Sequence, residues 1–297
     1  MKVQEIARAV ASANGNISLA ARNLGVPRST LRWALASNGK APKKNKEILI
    51  IPDSHATPEH NNDRFTWAGN FALKRRPDYI VDIGDSADMA SLCSYDTGTV
   101  SAEGRRYADD IEAYKDAQRK FFAPIHKHNK NNPTDQFEPT LIKCTGNHEQ
   151  RIIRAANEDP RLHGHLQMSD LEEESFGWDV YPFLTPVEIE GIAFQHYITS
   201  GVMGRPIGGE NHAATLVKKG YRSVVVGHSH MRDFWETTDI LGNKLFGLVC
   251  GVYVDQDHGY TTEQRRWWSG LVYLHDVCNG KAEPEFLAID YLKREFS

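Results

Sequence analysis

Cysteine is scarce and scattered: Cys93, Cys144, Cys250 and Cys278 stand far apart, and none belongs to a CxxC pair. That spacing excludes a zinc ribbon and a thiol redox motif, so the four thiols read as reduced and structural. Long apolar runs are lacking as well. The longest, Leu245 to Val254, is interrupted by Gly247 and Gly251 and falls short of the roughly 20 residues that cross a bilayer. The opening MKVQEIARAV has charges spread through it, without the apolar core and small-residue cleavage site of a secretory signal. A cytoplasmic protein with no membrane attachment is expected. Low-complexity tracts are missing, and 297 residues, 40% of them hydrophobic, are ample for a buried core.

Charge is unevenly placed. Residues 1–46 hold nine Lys or Arg and one acid, Glu5, for a net +8, which leaves −12 on residues 47–297. A basic segment on an acidic body points to an anionic partner for that segment, with a solvated tail as the plain alternative. The stretch Ser37 to Lys46, SNGKAPKKNK, has Gly, Pro and four Lys but no hydrophobic period, and reads as a linker. The chain then divides into a small N-terminal domain (1–36), a basic linker (37–46) and a body (47–297).

Upstream of the linker, Ile6, Val10 and Ala13 lie at helical spacing, and Gly15 and Asn16 break that helix. Ile17, Ala20, Ala21 and Leu24 give a second stripe ended by Gly25. Pro27 suits the first turn of a helix from Arg28 to Leu35. Two short helices joined by a Gly-containing turn match a helix-turn-helix. The stretch GNISLAARNLGVPRSTLRWAL closely resembles the helix-turn-helix of the Fis type. That resemblance implies a small all-α domain in which Arg28, Ser29, Thr30 and Arg32 face DNA, while Ala20, Ala21 and Leu31 form its core. A three-helix bundle for protein contact or dimerisation is the other reading, and self-association of the chain is left open by it.

From Glu47 onward, apolar strand-like runs alternate with helical segments, as in α/β sheet proteins. Polar groups end those runs. Ile48 to Ile51 leads into Asp53, Ser54, His55; Tyr79 to Ile83 leads into Gly84, Asp85; Leu141 to Cys144 leads into Gly146, Asn147, His148, Glu149. Ile192 to Gln195 leads into His196, and Val224 to Val226 into Gly227, His228, Ser229, His230. Open α/β sheets place their sites at such carboxyl ends. Singly each item is weak, since a lone His after a strand is more often structural. The ordered set DxH, GD, GNHE, a strand-end His and GHxH resembles the calcineurin-like metallophosphoesterase superfamily over about Ile48 to His230.

The resemblance implies an α/β fold, a β-sandwich flanked by helices, with two divalent metal ions at the strand ends. It implies Asp53, His55 and His230 on the first metal, Asp85 bridging, and Asn147, His196 and His228 on the second. A pair of ions about 3.5–4 Å apart needs a shared carboxylate and N or O donors around it. Mixed Asp, Asn and His donors suit Mn²⁺, with Fe or Zn²⁺ as alternatives, better than Mg²⁺. His148 is expected to act without ligating metal, giving a proton to the leaving oxygen or stabilising charge there. Glu149 is expected to support the ligands from behind. The rivals of His196 are His163, His165 and His212, none of which follows an apolar strand-like run.

Substrate choice is less legible, because the fold hosts several phosphoesterases. Protein Ser/Thr phosphatases typically read GDxxDRG and place Arg before GNHE, whereas here Met89 follows Asp88 and Thr145 precedes Gly146. The long segment Ser91 to Pro139, with Arg105 near its start, and the Gly-rich Ser200 to Asn211, with Arg205, are candidate substrate loops with those arginines on phosphate. Leu245 to Val254 and Gly270 to Val277 are expected in the second sheet. The expected function is a dinuclear-metal phosphodiesterase or nuclease that hydrolyses nucleic acid through a metal-bridging hydroxide, with DNA held by residues 1–46. The pairing of domains is similar to phage-encoded metallophosphoesterases, for which the cytoplasm would be the host's. One alternative is a small-nucleotide or cyclic-nucleotide phosphodiesterase, favoured by the −12 body. A DNA-binding regulator with an inactive phosphoesterase module is another, disfavoured by the complete ligand set.

Overall fold

The computed structural model describes residues 12, 20, 23–26, 45–255 and 266–297. By internal contacts the chain forms two units, Met1–Asn45 and Lys46–Ser297. In the first, Ala20 is buried, the Leu24 N–H donates to the Ala20 carbonyl at 3.0 Å, and Gly25 adopts a left-handed φ of +64°. Arg28, Ser29, Thr30 and Arg32 lie outside the described residues, as does linker segment 37–44.

The second unit opens with β1 (Lys46–Ile51), which takes in Lys46, counted above with the linker. The Lys46 ammonium donates to Asp78 at 2.7 Å. In chain order follow α1 (Asp63–Arg75), β2 (Tyr79–Asp82), α2 (Tyr107–Asn131), β3 (Thr140–Cys144), α3 (Gln150–Glu158) and β4 (Asp179–Tyr181). Then come β5 (Val187–Ile189), β6 (Ile192–Phe194), the short ribbon β7 (Thr199–Ser200) and β8 (Arg205–Pro206), α4 (His212–Gly220) and β9 (Ser223–Val226). The chain closes with β10 (Arg232–Thr238), β11 (Lys244–Cys250), β12 (Gly270–Cys278), β13 (Lys281–Ala288) and α5 (Ile289–Phe296).

Two larger sheets result, with orders β13-β12-β1-β2-β3-β4 and β10-β11-β9-β6-β5. Successive strand side chains point to opposite faces, and β1 uses both. Ile48 and Ile50 join Val81, Ile142, Phe194, Val225 and Leu248 in a core between the sheets. Leu49 and Ile51 pack instead with Phe65, Phe71, Phe121 and Leu292, from α1, α2 and α5. On the far side, Ala213 and Leu216 of α4 cover Val224, Val226 and Val249 of the second sheet. The body is therefore a sandwich of two sheets with helices on both outer faces. Each fully buried Ile or Leu in such a layer contributes roughly 1.5–3 kcal/mol. Gly69 marks the close crossing of α1 on α2, because a Cβ there would overlap the Phe121 carbonyl oxygen.

Two expectations are corrected. Gly270 to Val277 lies in the first sheet, antiparallel to β1 with Ile48 opposite Leu274. Its two faces explain the placement: Val272 and Leu274 enter the inter-sheet core, while Leu271 and Tyr273 enter the helical one. Second, Ser91 to Pro139 is mostly scaffold. Its greater part is the 25-residue helix α2, whose Ala117, Phe121, Phe122 and Ile125 are buried against the first sheet and α1. Only the three short 3-10 turns between Ala90 and Ala102 remain near the strand ends.

Candidate functional site

The parallel strands β1, β2 and β3, and β6 and β9 of the second sheet, all stop at one rim, and their following loops meet there. Three donor groups form. Asp53, His55 and His230 bring ligand atoms within 4.8 Å of one another, Asp85, His196 and His228 do the same, and His55, Asp88 and His148 make the third. In the first, His55 Nε2 lies 3.0 Å from His230 Nε2, and His230 Nε2 lies 3.2 Å from Asp53 Oδ2. In the second, His196 Nε2 is 3.1 Å from Asp85 Oδ2 and 3.1 Å from Asn147 Oδ1.

Four of these residues have left-handed backbone: His55 (φ 41°), Asp85 (φ 54°), His228 (φ 69°) and His230 (φ 57°). Such conformations cost of order 1–3 kcal/mol each outside Gly and persist where the surroundings impose them. Here the imposition is visible. The His55 N–H donates to the Asp85 carbonyl at 3.0 Å, and the His228 N–H donates to Asp53 Oδ2 at 2.8 Å. Gly146 and Gly227 serve through close approach, since a Cβ would overlap Asp85 Oδ1 at the one and Asp53 Oδ1 at the other.

Beneath the rim, Glu149 ties two loops together. Its Oε2 accepts the Asp85 N–H at 3.0 Å and the Gly146 N–H at 2.9 Å, and its Oε1 accepts the Ser86 N–H at 2.7 Å and the Ala87 N–H at 2.9 Å. A buried lysine completes this layer. Lys143 Nζ donates to Asp82 Oδ2 at 3.0 Å and to Ser86 Oγ, and lies 3.6 Å from Glu173 and 3.8 Å from Glu149. Burial disfavours its charge, but Asp82 and its other anionic neighbours outweigh that and hold Lys143 protonated well above the usual range.

The donor chemistry fits cations. Asp53 Oδ1 is buried with no hydrogen-bond partner, which costs free energy unless something positive reaches it. The His196 ring pairs through Nδ1 with the Ile83 carbonyl at 3.0 Å, a bond that requires the proton there. Neutral His196 therefore turns a lone pair on Nε2 toward the Asp85 and Asn147 oxygens, three acceptors converging on one point. With only protons to answer this field, burial opposes a charge on His196, but Asp85 and Asp53 raise its pKa to about 10. Burial, aided by neighbouring His196, lowers His228 to about 4.

His148 stands beside the Asp53 and Asp85 groups and belongs to the third, with His55 and Asp88. Its Nδ1 faces two oxygens of Asp88, the carbonyl at 2.8 Å and Oδ1 at 2.9 Å. The same Asp88 Oδ1 lies 3.1 Å from His55 Nδ1. His148 Nε2 receives the Arg151 guanidinium at 3.0 Å, and Arg151 is anchored on the Asp88 carbonyl at 2.9 Å. Burial works against a charged His148, yet Asp85 and Asp88 prevail and raise its pKa above the ordinary value. His148, Arg151, His230, Arg105 and Trp267 line a cavity of about 410 Å³. A larger one, about 710 Å³, is lined by Thr145, Gln150 and Phe183 among others and by none of the donor residues.

Arg105 thus borders the site, but Asp96 at 2.6 Å and Glu59 at 3.6 Å take up its charge. Arg205 is exposed on the β7–β8 ribbon, outside the residues that line the 410 Å³ cavity. Of the rivals to His196, His163 and His165 are exposed, and His212 is buried with Nδ1 3.3 Å from Ser229 Oγ. Asp88, Lys143 and Arg151 went unread in the sequence. Lys143 did leave a signal, a lone cation inside the apolar run Leu141 to Cys144 that must find partners once buried. Among the described residues, no helix is long and apolar enough to cross a membrane.

Residues 4–36 match the Fis family of bacterial regulatory proteins. A sequence comparison with curated proteins finds no match. Among solved structures, an archaeal phosphodiesterase is similar at 15% identity and a TM-score of 0.37, covering 81% of this chain and 99% of that one. The phosphoesterase YfcE from E. coli is similar at 11% identity and a TM-score of 0.34, over 82% of this chain and 99% of that one. A nuclease from Pseudomonas putida is similar at 12% identity and a TM-score of 0.31, over 80% of this chain and 87% of that one. Overlaps at this level leave the function to be read from the side chains.

Proposed function

We propose that the chain is a metal-dependent phosphodiesterase acting on nucleic acid, brought to its substrate by the N-terminal helix-turn-helix. The observation that carries this reading is the pair of adjacent donor groups around Asp53 and Asp85, with His148 held beside them. Asp53, His55 and His230 would hold one divalent ion, Asn147, His196 and His228 a second, and Asp85 would be shared. Bound there, two ions would supply Lewis acidity toward a phosphoryl oxygen and lower the pKa of a water. The chain's own part is to fix geometry and move a proton. Asp88 holds His148 by Nδ1 and leaves Nε2 on the cavity side, where, once Arg151 turns to the phosphate and Nε2 carries a proton, it would protonate the departing ester oxygen. Glu149 and Lys143 keep the Asp85 loop in place against its unfavourable φ.

Chelation should silence the protein and Mn²⁺ should restore it, followed with bis-p-nitrophenyl phosphate, p-nitrophenyl phosphate, cyclic nucleotides, and single- and double-stranded DNA side by side. Carefully metallated protein that turns over no ester would refute the enzyme reading. The −12 body favours one rival, a phosphodiesterase of small or cyclic nucleotides, because an acidic surface repels a long polyanion. Removal of residues 1–44, which spares β1, separates the two. On DNA the truncated protein should show an apparent KM raised roughly tenfold or more and a flatter salt dependence, since most of the phosphate-contacting charge is gone. Unchanged DNA binding and salt slope, together with efficient hydrolysis of small nucleotides, would shift the assignment to the rival.

A further inference from the structure

We propose that the 410 Å³ cavity beside His148 is a subsite for one unpaired nucleotide, its phosphate on Arg151 and its base against Tyr95 and Trp267. The inference rests on the phosphodiesterase reading and narrows its substrate to esters whose base lies outside a duplex, in a single strand or in a small nucleotide.

Charge is the first ground. The wall of the cavity carries two arginines, and Arg105 is neutralised by Asp96 and Glu59. Arg151 differs. It lies in the first turn of α3, with Nη1 2.9 Å from the Asp88 carbonyl and 3.4 Å from the Met89 carbonyl and Nη2 3.0 Å from His148 Nε2. Among the described residues, no carboxylate pairs with it. A guanidinium fixed by carbonyls, uncompensated, and touching the nitrogen that faces a departing group is placed for a phosphate, which it meets with two parallel N–H donors.

Ring placement is the second. Tyr95, on the turn Ser94–Asp96, lines the cavity while 90% exposed. An aromatic ring left in water at the edge of a polar cavity offers an open face to another ring, and nucleobases stack on such faces whatever their sequence. Trp267 lines the same cavity and stands edge-on to His230, with ring centroids 4.2 Å apart. It therefore links the aromatic wall to the first donor group. The segment that carries Ala90 and Cys93 of this wall is tethered from behind: the Ser91 N–H donates to Asp110 Oδ2 at 2.9 Å, and Arg154 donates to the Leu92 carbonyl at 2.7 Å.

Size is the third. A volume of about 410 Å³ is near the lower end of small-molecule sites, of a scale for one nucleotide. A duplex keeps its bases stacked inward and would bring only sugar and phosphate to these rings.

The test compares thymidine 5′-(p-nitrophenyl phosphate) with bis-p-nitrophenyl phosphate, which share a leaving group and differ in the nucleoside. Tyr95→Ala and Trp267→Leu should each lower the selectivity for the thymidine ester, as a ratio of kcat/KM, about tenfold. Arg151→Gln should raise KM for both esters and weaken inhibition by inorganic phosphate about tenfold. Calorimetric titration with thymidine 5′-monophosphate supplies a readout independent of turnover, and Tyr95→Ala should weaken that binding about tenfold. Single-stranded dT12 should be cleaved at least tenfold more efficiently than the corresponding duplex. A Tyr95→Ala defect on 3′,5′-cyclic AMP but not on dT12 would assign the subsite to small nucleotides, and the converse would assign it to strands. Unchanged ester selectivity and unchanged monophosphate binding in Tyr95→Ala and Trp267→Leu would overturn the subsite while leaving the phosphodiesterase reading intact. Loss of every hydrolytic activity in the metallated wild type would remove that reading, and the monophosphate titration would still decide the subsite.

Discussion

Asp85→Ala is expected to abolish turnover and reduce bound metal from two ions per chain to at most one. Its two oxygens already serve both sides of the rim, Oδ1 accepting the His148 N–H at 2.8 Å and Oδ2 lying 3.1 Å from His196 Nε2. Without the carboxylate, nothing negative joins the two donor groups, and the repulsion between neighbouring cations goes unanswered. Asp85→Asn is the informative partner. Asn tolerates the left-handed φ of 54° and keeps the side chain's shape, so it isolates the charge from the fold. Calorimetric or elemental metal counts should fall in both variants. Two ions bound with undiminished affinity in Asp85→Ala would sink the bridging assignment.

His148→Ala should fail in another way, retaining both metals while slowing the chemical step by roughly 10² to 10⁴. The loss should shrink with p-nitrophenolate, which leaves readily without a proton, and be largest with alkoxide leaving groups such as those of DNA. Burial opposes a charge on His148, but Asp85 and Asp88 raise its pKa, the direction that favours a proton donor. Equal losses on nitrophenyl and nucleotide esters would refute proton donation and leave only stabilisation of charge.

Much of this was legible in the sequence, for a definite reason. Asp53, His55, Asp85, His196, His228 and His230, which make up two of the three donor triads, each follow an apolar run closely, so strand periodicity marks where they emerge. Asp88 and Arg151 have no such run before them. Asp88 comes three residues further along a loop, and Arg151 is in the first turn of a helix whose surface charges give no hint of what they face. The misassigned strand shows a different limit. Alternation in Gly270 to Val277 identifies a strand buried on both faces, but hydrogen-bond partners are chosen by tertiary packing, and the pattern cannot name a neighbour more than two hundred residues away. The scaffold helix α2 was missed because Asp110 and Gln118 sit on its buried face and Pro124 lies inside it, and length alone suggested a loop.

The pairing of β1 with β12 also orders events in time. During synthesis, the strand that leads into Asp53 and His55 emerges early, yet the neighbour on one of its edges runs from Gly270 to Cys278. Until that segment has left the ribosome, β1 has an open edge and the core around Ile48 and Ile50 lacks Val272 and Leu274. Every residue of the two donor groups around Asp53 and Asp85 is made before the sheet that aligns them can close. Nascent chains released short of residue 270 should therefore carry the full set of proposed ligands without capturing ions, and on the proposed function loading of metal would be the last act of folding.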